Sequence, residues 1–96
     1  DQSLNPFYVS DIEAGRITRE EALDIVCSLW RVFESYGERC ANLTIGGCDQ
    51  YGNDCSNEMT IICMEASMKV KADVPLITLR VHPKLDDRVW NTALKL

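Results

Sequence analysis

Residues 43–60, LTIGGCDQYGNDCSNEMT, decide the fold. Leu43, Thr44 and Ile45 form a short β-forming run that stops at Gly46-Gly47. Paired glycines end a strand because they supply backbone angles that other residues resist. A polar turn follows, Cys48 to Asp54, and then a helix start at Ser56-Asn57-Glu58. Ser56 or Asp54 is placed to cap the free N–H groups of that helix. A strand, a tight loop and a helix in this order form the corner from which α/β folds are built.

The remaining chain extends the same pattern. The segment Ser3 to Ala14 reads as a short helix, with Asn5 as cap, Pro6 in the first turn and Gly15 as the stop. Thr18-Arg19-Glu20-Glu21 fits a capping box. Behind it, Ala22, Ile25, Val26, Leu29, Phe33 and Tyr36 recur at helical spacing, and Gly37 closes the helix. This stripe is expected to pack into a core. After the first strand, Asn57 to Val70 is a helix with apolar residues on nearly every side, and Glu65 is its one central acid, expected to be ion-paired. Asp73-Val74-Pro75 turns into a second strand, Leu76 to His82, which Pro83 stops. Asp86 caps a last helix that is expected to run to Leu96.

Composition excludes several classes of function. The chain has 96 residues, 46% hydrophobic and 26% charged, with a formal net charge of −5. That suffices for one domain. Lys and Arg are scattered on an acidic chain, so no nucleic-acid surface is expected. No apolar run is long enough to span a bilayer, and no basic region leads into an apolar one as in a signal peptide. The five cysteines (Cys27, Cys40, Cys48, Cys55, Cys63) are odd in number and lack Cys-x-x-Cys spacing, against a zinc knuckle or redox dithiol. They are read as reduced thiols of a cytoplasmic protein.

The chemical motifs are sparse. Asp49 to Thr60 imitates a calcium loop but has Tyr51 third and Thr60 twelfth, where carboxylate ligands belong. Gly46-Gly47 lacks the further glycines of a dinucleotide loop and the lysine of a phosphate loop. His82 is the single histidine and has no partner recognisable in the sequence, which favours a structural role. Alternation along the strands puts Leu43, Ile45, Ile77, Leu79 and Val81 against helices. It puts Asn42, Thr44, Thr78, Arg80 and His82 on the other side. In a barrel these five polar positions would face inward. An inward Arg80 would need a carboxylate or several carbonyls around it, so pinning an inserted segment is favoured over binding substrate. No catalytic, cofactor-binding or metal-binding residue is assigned.

Helix–strand–helix–strand–helix implies two parallel strands joined through a helix. Two parallel strands do not make a stable body alone, because parallel sheets survive inside larger ones. The chain therefore reads as a slice of a larger α/β protein.

At family level the sequence resembles the glycyl radical enzymes, within their pyruvate formate-lyase-like domain, over residues 1–96. The most specific motif is Gly46-Gly47-x-Asp49-x-x-Gly52-x-Asp54-x-x-Asn57-Glu58. The element Gly15-x-Ile17-Thr18-x-Glu20-Glu21-Ala22 supports it. The resemblance implies an internal slice of a ten-stranded α/β barrel of two antiparallel half-barrels. It also implies a backbone glycyl radical, installed by a separate iron–sulfur activase that uses S-adenosylmethionine, and a central cysteine that carries the radical to a small organic substrate. Known reactions span lyase, dehydratase, decarboxylase and formate acetyltransferase chemistry. The radical-bearing Arg-Val-x-Gly-Tyr motif has no counterpart here. Gly47-Cys48-Asp49-Gln50 matches only half of the family's Gly-Cys-x-Glu, so Cys48 is not assigned as catalytic. The segment alone is expected to be inactive. Its expected partners are the rest of its parent enzyme, the activase and the substrate, and the resemblance allows a homodimer. Two other readings stand beside this one: a free-standing non-catalytic interaction module derived from the same fold, and a small binding protein using the polar strand faces.

Overall fold

The computed structural model describes residues 1–36, 42–71 and 75–96. Its elements are α1 (Asn5–Glu13), α2 (Arg19–Ser35), β1 (Asn42–Gly46), α3 (Glu58–Val70), β2 (Leu76–Arg80) and α4 (Asp87–Ala93). The strands pair in parallel with Asn42 opposite Leu76 and Gly46 opposite Arg80, and α3 is the crossover between them. The expected strand–loop–helix corner is present. Gly37, Cys40 and the Asp73-Val74 turn lie outside the described residues.

Helix α3 is the centre of the molecule. Met59 to Met64 and Ala66 are all buried, and all of them but Thr60 meet Ala22, Val26, Cys27 and Trp30 of α2, Ile45 of β1 and Val89 of α4 in one cluster. An all-round apolar helix needs cover on several sides, and α2, α4, α1 and the sheet supply it. Leu43, Ile77 and Leu79 join the core from the strands, as their alternation predicts. Trp30 is buried whole because its indole N–H donates to Ser67 Oγ at 2.9 Å, which satisfies its one polar atom.

The helix starts follow sequence logic with two corrections. Thr18 accepts from the Glu21 N–H while the Glu21 carboxylate accepts from the Thr18 N–H, the reciprocal box its spacing predicts. Asn5 is the first residue of α1 rather than its cap, which falls on Leu4, and Pro6 sits in the first turn as expected. Helix α3 is capped by Asn57, not Ser56 or Asp54: Asn57 Oδ1 accepts from the Thr60 N–H and Thr60 Oγ1 accepts from the Asn57 N–H. A threonine three residues on completes the box in place of the usual glutamate. Asp54 is engaged elsewhere.

Three further expectations are corrected. On α2, Ala22, Val26 and Trp30 face the core, while Ile25, Leu29 and Tyr36 are exposed. The helix carries two apolar faces, and a single averaged stripe merges them. Strand β2 ends at Arg80, because β1 offers no pairing partner beyond Gly46, whose φ of +75° turns the chain away. Val81 is consequently exposed rather than packed on a helix. Helix α4 stops at Ala93, with Leu94 as its C-cap. Its capping by Asp86, through the Arg88 N–H at 2.8 Å, is as predicted.

Candidate functional site

The loops at the carboxyl ends of both strands carry the polar chemistry. In open α/β sheets this is the end where ligands bind. Gly46 and Gly47 have φ of +75° and +101°, angles that favour glycine. A Cβ on Gly46 would stand 2.9 Å from Leu79 Cδ1, and one on Gly47 would stand 3.4 Å from Arg80 Cδ. The glycines thus let the turn sit directly on β2.

Beyond them the loop is built by three carboxylates. Asp49 accepts from the N–H groups of Tyr51 and Asn53 at 2.8 and 2.9 Å and closes the tip on itself. Those contacts, led by the Asn53 N–H, hold its carboxyl below the ordinary range. Cys48 pairs with Asp54 as an antiparallel bridge, and the Cys55 N–H donates to the Gly47 carbonyl at 2.9 Å. Asp1 reaches in from the start of the chain. Its Oδ2 accepts from the Gly46 N–H at 2.8 Å and from the hydroxyl of the fully buried Thr60 at 2.6 Å.

Asp54 is the hub. Its carboxylate accepts from the Ser56 hydroxyl and N–H, from His82 Nε2 at 2.9 Å and from the Asp86 N–H at 3.1 Å. Burial alone would raise its pKa; the hydrogen bonds from Ser56, His82 and Asp86 outweigh it and bring the value down to about 2. His82 lies past the end of β2, with only 9% of its side chain exposed. Its Nδ1 accepts from the Lys84 N–H at 3.3 Å. One tautomer, the neutral ring protonated at Nε2, satisfies both contacts. Both ring nitrogens are engaged by these contacts. Together Asp54 and His82 tie the loop after β1 to the loop after β2.

A second network lies at the start of α3. Arg19 spans Glu58 (Nε to Oε1, 2.8 Å) and both oxygens of Glu65 (2.9 and 3.0 Å), and Arg88 reaches Glu58 Oε2 at 3.0 Å. The ion pair expected for Glu65 is therefore present. Burial would raise the Glu58 pKa, but Arg19 and Arg88 reverse that and lower it.

Of the five polar strand-face residues, Asn42, Thr44, Thr78 and Arg80 share one exposed face of the sheet, and His82 is turned onto Asp54. Arg80 has no carboxylate at ion-pair distance among the described residues. It lines a cleft of about 340 Å³ with Gly47, Cys48, Val81 and His82. The arrangement presents one guanidinium, one exposed thiol and the backbone of a glycine turn at the strand ends. The four described cysteines are free thiols: Cys27 and Cys63 are buried, Cys48 is exposed and Cys55 lies between. Burial pushes the Cys63 thiol up, away from the reactive thiolate. Among the described residues no group of three or more His, Cys, Asp or Glu side chains converges as metal ligands. Sequence reasoning missed Asp1, the hub role of Asp54 and Arg19. Only the Asp54 spacing within the glycine motif offered a signal.

Comparison with known proteins places this geometry. The family model for pyruvate formate lyase-like proteins matches residues 1–96. An isethionate sulfite-lyase of Oleidesulfovibrio alaskensis is 30% identical over 103 residues, which cover 92% of this chain and 12% of that protein. The crystal structure of a glycyl radical enzyme from Archaeoglobus fulgidus superposes with a TM-score of 0.87 at 30% identity, over 98% of this chain and 14% of that one. A structure concerned with 1,2-propanediol dehydration in Roseburia inulinivorans gives 0.88 at 25% identity, over 99% and 14%. The chain thus spans 12–14% of the length of these relatives.

Proposed function

Because the chain belongs to the pyruvate formate lyase-like family, whose matching relatives are glycyl radical enzymes, we propose that its residues form an internal part of such an enzyme. The parent would act on a small organic substrate, by lyase or dehydratase chemistry in preference to acyl transfer. The observation that carries this reading is the length relation. Nearly all of this chain superposes on a glycyl radical enzyme, while it accounts for only 14% of that structure.

On this reading the two strands belong to a ten-stranded barrel, and Asn42, Thr44, Thr78 and Arg80 face its interior. The Gly46-Gly47 turn and the Asp54–His82 tie shape one end of it. The radical glycine and the thiyl cysteine lie elsewhere in the parent, and residues 1–96 alone do not turn over. The chain's own contribution is to position: it fixes the loop after β1 against the loop after β2 and holds one cation at the strand ends. The radical would be installed by a separate iron–sulfur activase using S-adenosylmethionine, in an anaerobic cytoplasm, and the parent could work as a homodimer.

The test starts from the polypeptide isolated anaerobically from its source. Its intact mass is expected to be several times 10.9 kDa. After incubation with a radical S-adenosylmethionine activase, an electron paramagnetic resonance doublet from a glycyl radical is expected, with substrate-dependent product formation. A mass near 10.9 kDa with no radical signal would overturn the proposal in favour of a free-standing module.

A further inference from the structure

Helix α2 presents a second apolar face that nothing among the described residues covers. Ile25, Leu29, Val32 and Tyr36 are 60, 37, 48 and 73% exposed. They follow one another at intervals of four, three and four residues. At about 100° per residue they form a narrow seam, turned about 100° round the helix from Ala22, Val26 and Trp30. A 4-3-4 spacing is that of the a and d positions through which helices pack on each other.

The far side of the seam is prepared for close approach. Ser28 and Ser35 flank it, and each returns its hydroxyl to its own helix, Ser28 to the Asp24 carbonyl at 3.0 Å and Ser35 to the Val32 carbonyl at 2.6 Å. The one donor of each hydroxyl is thereby satisfied. Toward the start of α2 the seam continues into an apolar groove of about 130 Å³ between α1 and α2, lined by Leu4, Tyr8, Ile17, Ile25 and Met59. A contiguous exposed apolar surface of this kind marks an interaction site.

We propose that this seam seats an α-helix of the same polypeptide from outside residues 1–96, lying along α2 with its own a/d-spaced apolar residues. The inference rests on the reading of the chain as part of a longer enzyme. The length of the relatives supplies the occupant: superposable structures continue for some six times the length of this chain, since it covers 14% of them. In a body of that size, a helix with one face on its own core and a second a/d-spaced seam beside it is an interior helix.

The experiment uses the full-length polypeptide with Leu29→Cys, treated with N-ethylmaleimide and followed by peptide mass spectrometry. Covered by a helix, Cys at 29 is expected to label at least about tenfold more slowly in the native protein than in urea. Equal rates would overturn the proposal. Protection that disappears on dilution to a monomer would overturn it too, because the occupant would then be a second copy. Leu29→Lys is expected to lower the thermal midpoint of the same protein, and an unchanged midpoint would argue against burial. An intact mass of 10.9 kDa would remove the parent reading and this proposal together. A larger mass with unprotected Cys at 29 would remove this proposal alone.

Discussion

Helix α3 and the loop that leads into it are neighbours in sequence and opposites in physics. From Met59 to Met64 the helix is buried at every residue, and five of those six side chains are apolar. From Gly47 to Asn57 the loop holds no residue of the apolar cluster and is ordered by the carboxylates of Asp49 and Asp54, while that of Asp1 holds Gly46 and Thr60 on either side of it. The helix is fixed by area removed from water, which is non-directional and indifferent to pH near neutrality. The loop is fixed by hydrogen bonds to charged acceptors, which are directional and depend on ionisation. One region sets where the fold sits, and the other sets the shape of the strand ends where the polar side chains converge.

The largest effect is expected in the helix. Ile62 is fully buried in the cluster. Ile62→Ala removes packed methylenes and leaves a cavity, at a cost of about 2–5 kcal/mol. Native-state hydrogen exchange of the α3 amides is the measure, because it reports the opening of this segment whatever the length of the polypeptide. A loss below about 1 kcal/mol would show that the site collapses around the substitution, and the contrast with the loop would weaken.

The next effect belongs to the loop. Asp54→Ala strands the N–H groups of Ser56 and Asp86 and the Nε2–H of His82. Leaving such donors unpaired costs about 1–3 kcal/mol. The exchange protection at Ser56 and Asp86 should fall, with α3 beyond its first turn little changed. Acid should separate the two regions in the same way. The Asp54 pKa of about 2 in the folded protein lies below the ordinary aspartate value of 3.8, so the unfolded chain binds the proton more readily. The carboxylate's contribution is therefore whole above about pH 4 and is lost as pH falls toward 2. Exchange at Ser56 and Asp86, corrected for intrinsic pH dependence, should accelerate across that window before the amides of Ile61 to Met64 do. Simultaneous loss would mean that loop and helix open as one unit.

The same contrast explains what was legible in the sequence. Apolar periodicity and capping chemistry are local, so α2, α3, the Thr18 box and the Asp86 cap could be read directly. Parallel pairing followed from the order of the elements. The site is another matter. Asp54 and His82 lie 28 residues apart, Asp1 and Thr60 lie 59 apart, and Arg19 and Glu65 lie 46 apart. Nothing in local pattern pairs a carboxylate with a partner at that distance; only the folded chain does. The two faces of α2 were merged for a related reason. Ile25 and Val26 are both apolar, and a sequence cannot say which of two adjacent stripes this chain covers itself.

The smallest effect is expected where α3 ends, and its sign is opposite. Lys71 closes the helix with φ of +56°, the one described non-glycine residue in the left-handed region, and its N–H donates to the Ser67 carbonyl at 3.0 Å. A side chain there crowds its own carbonyl, and glycine is the usual occupant of such a terminus. The start of the helix is held by the side chains of Asn57, Thr60 and Asp1, whereas the residue that caps its end stands in a strained backbone conformation. Lys71→Gly removes the steric cost while freeing the unfolded chain, leaving a net gain of about 0.5–1 kcal/mol. Exchange at Met68 to Lys71 should slow and exchange in the Gly47 to Asn57 loop should not respond. Slower exchange in the loop as well would show that both ends of α3 are coupled through the helix. The division between an apolar body and a polar rim would then have to be redrawn as one cooperative unit.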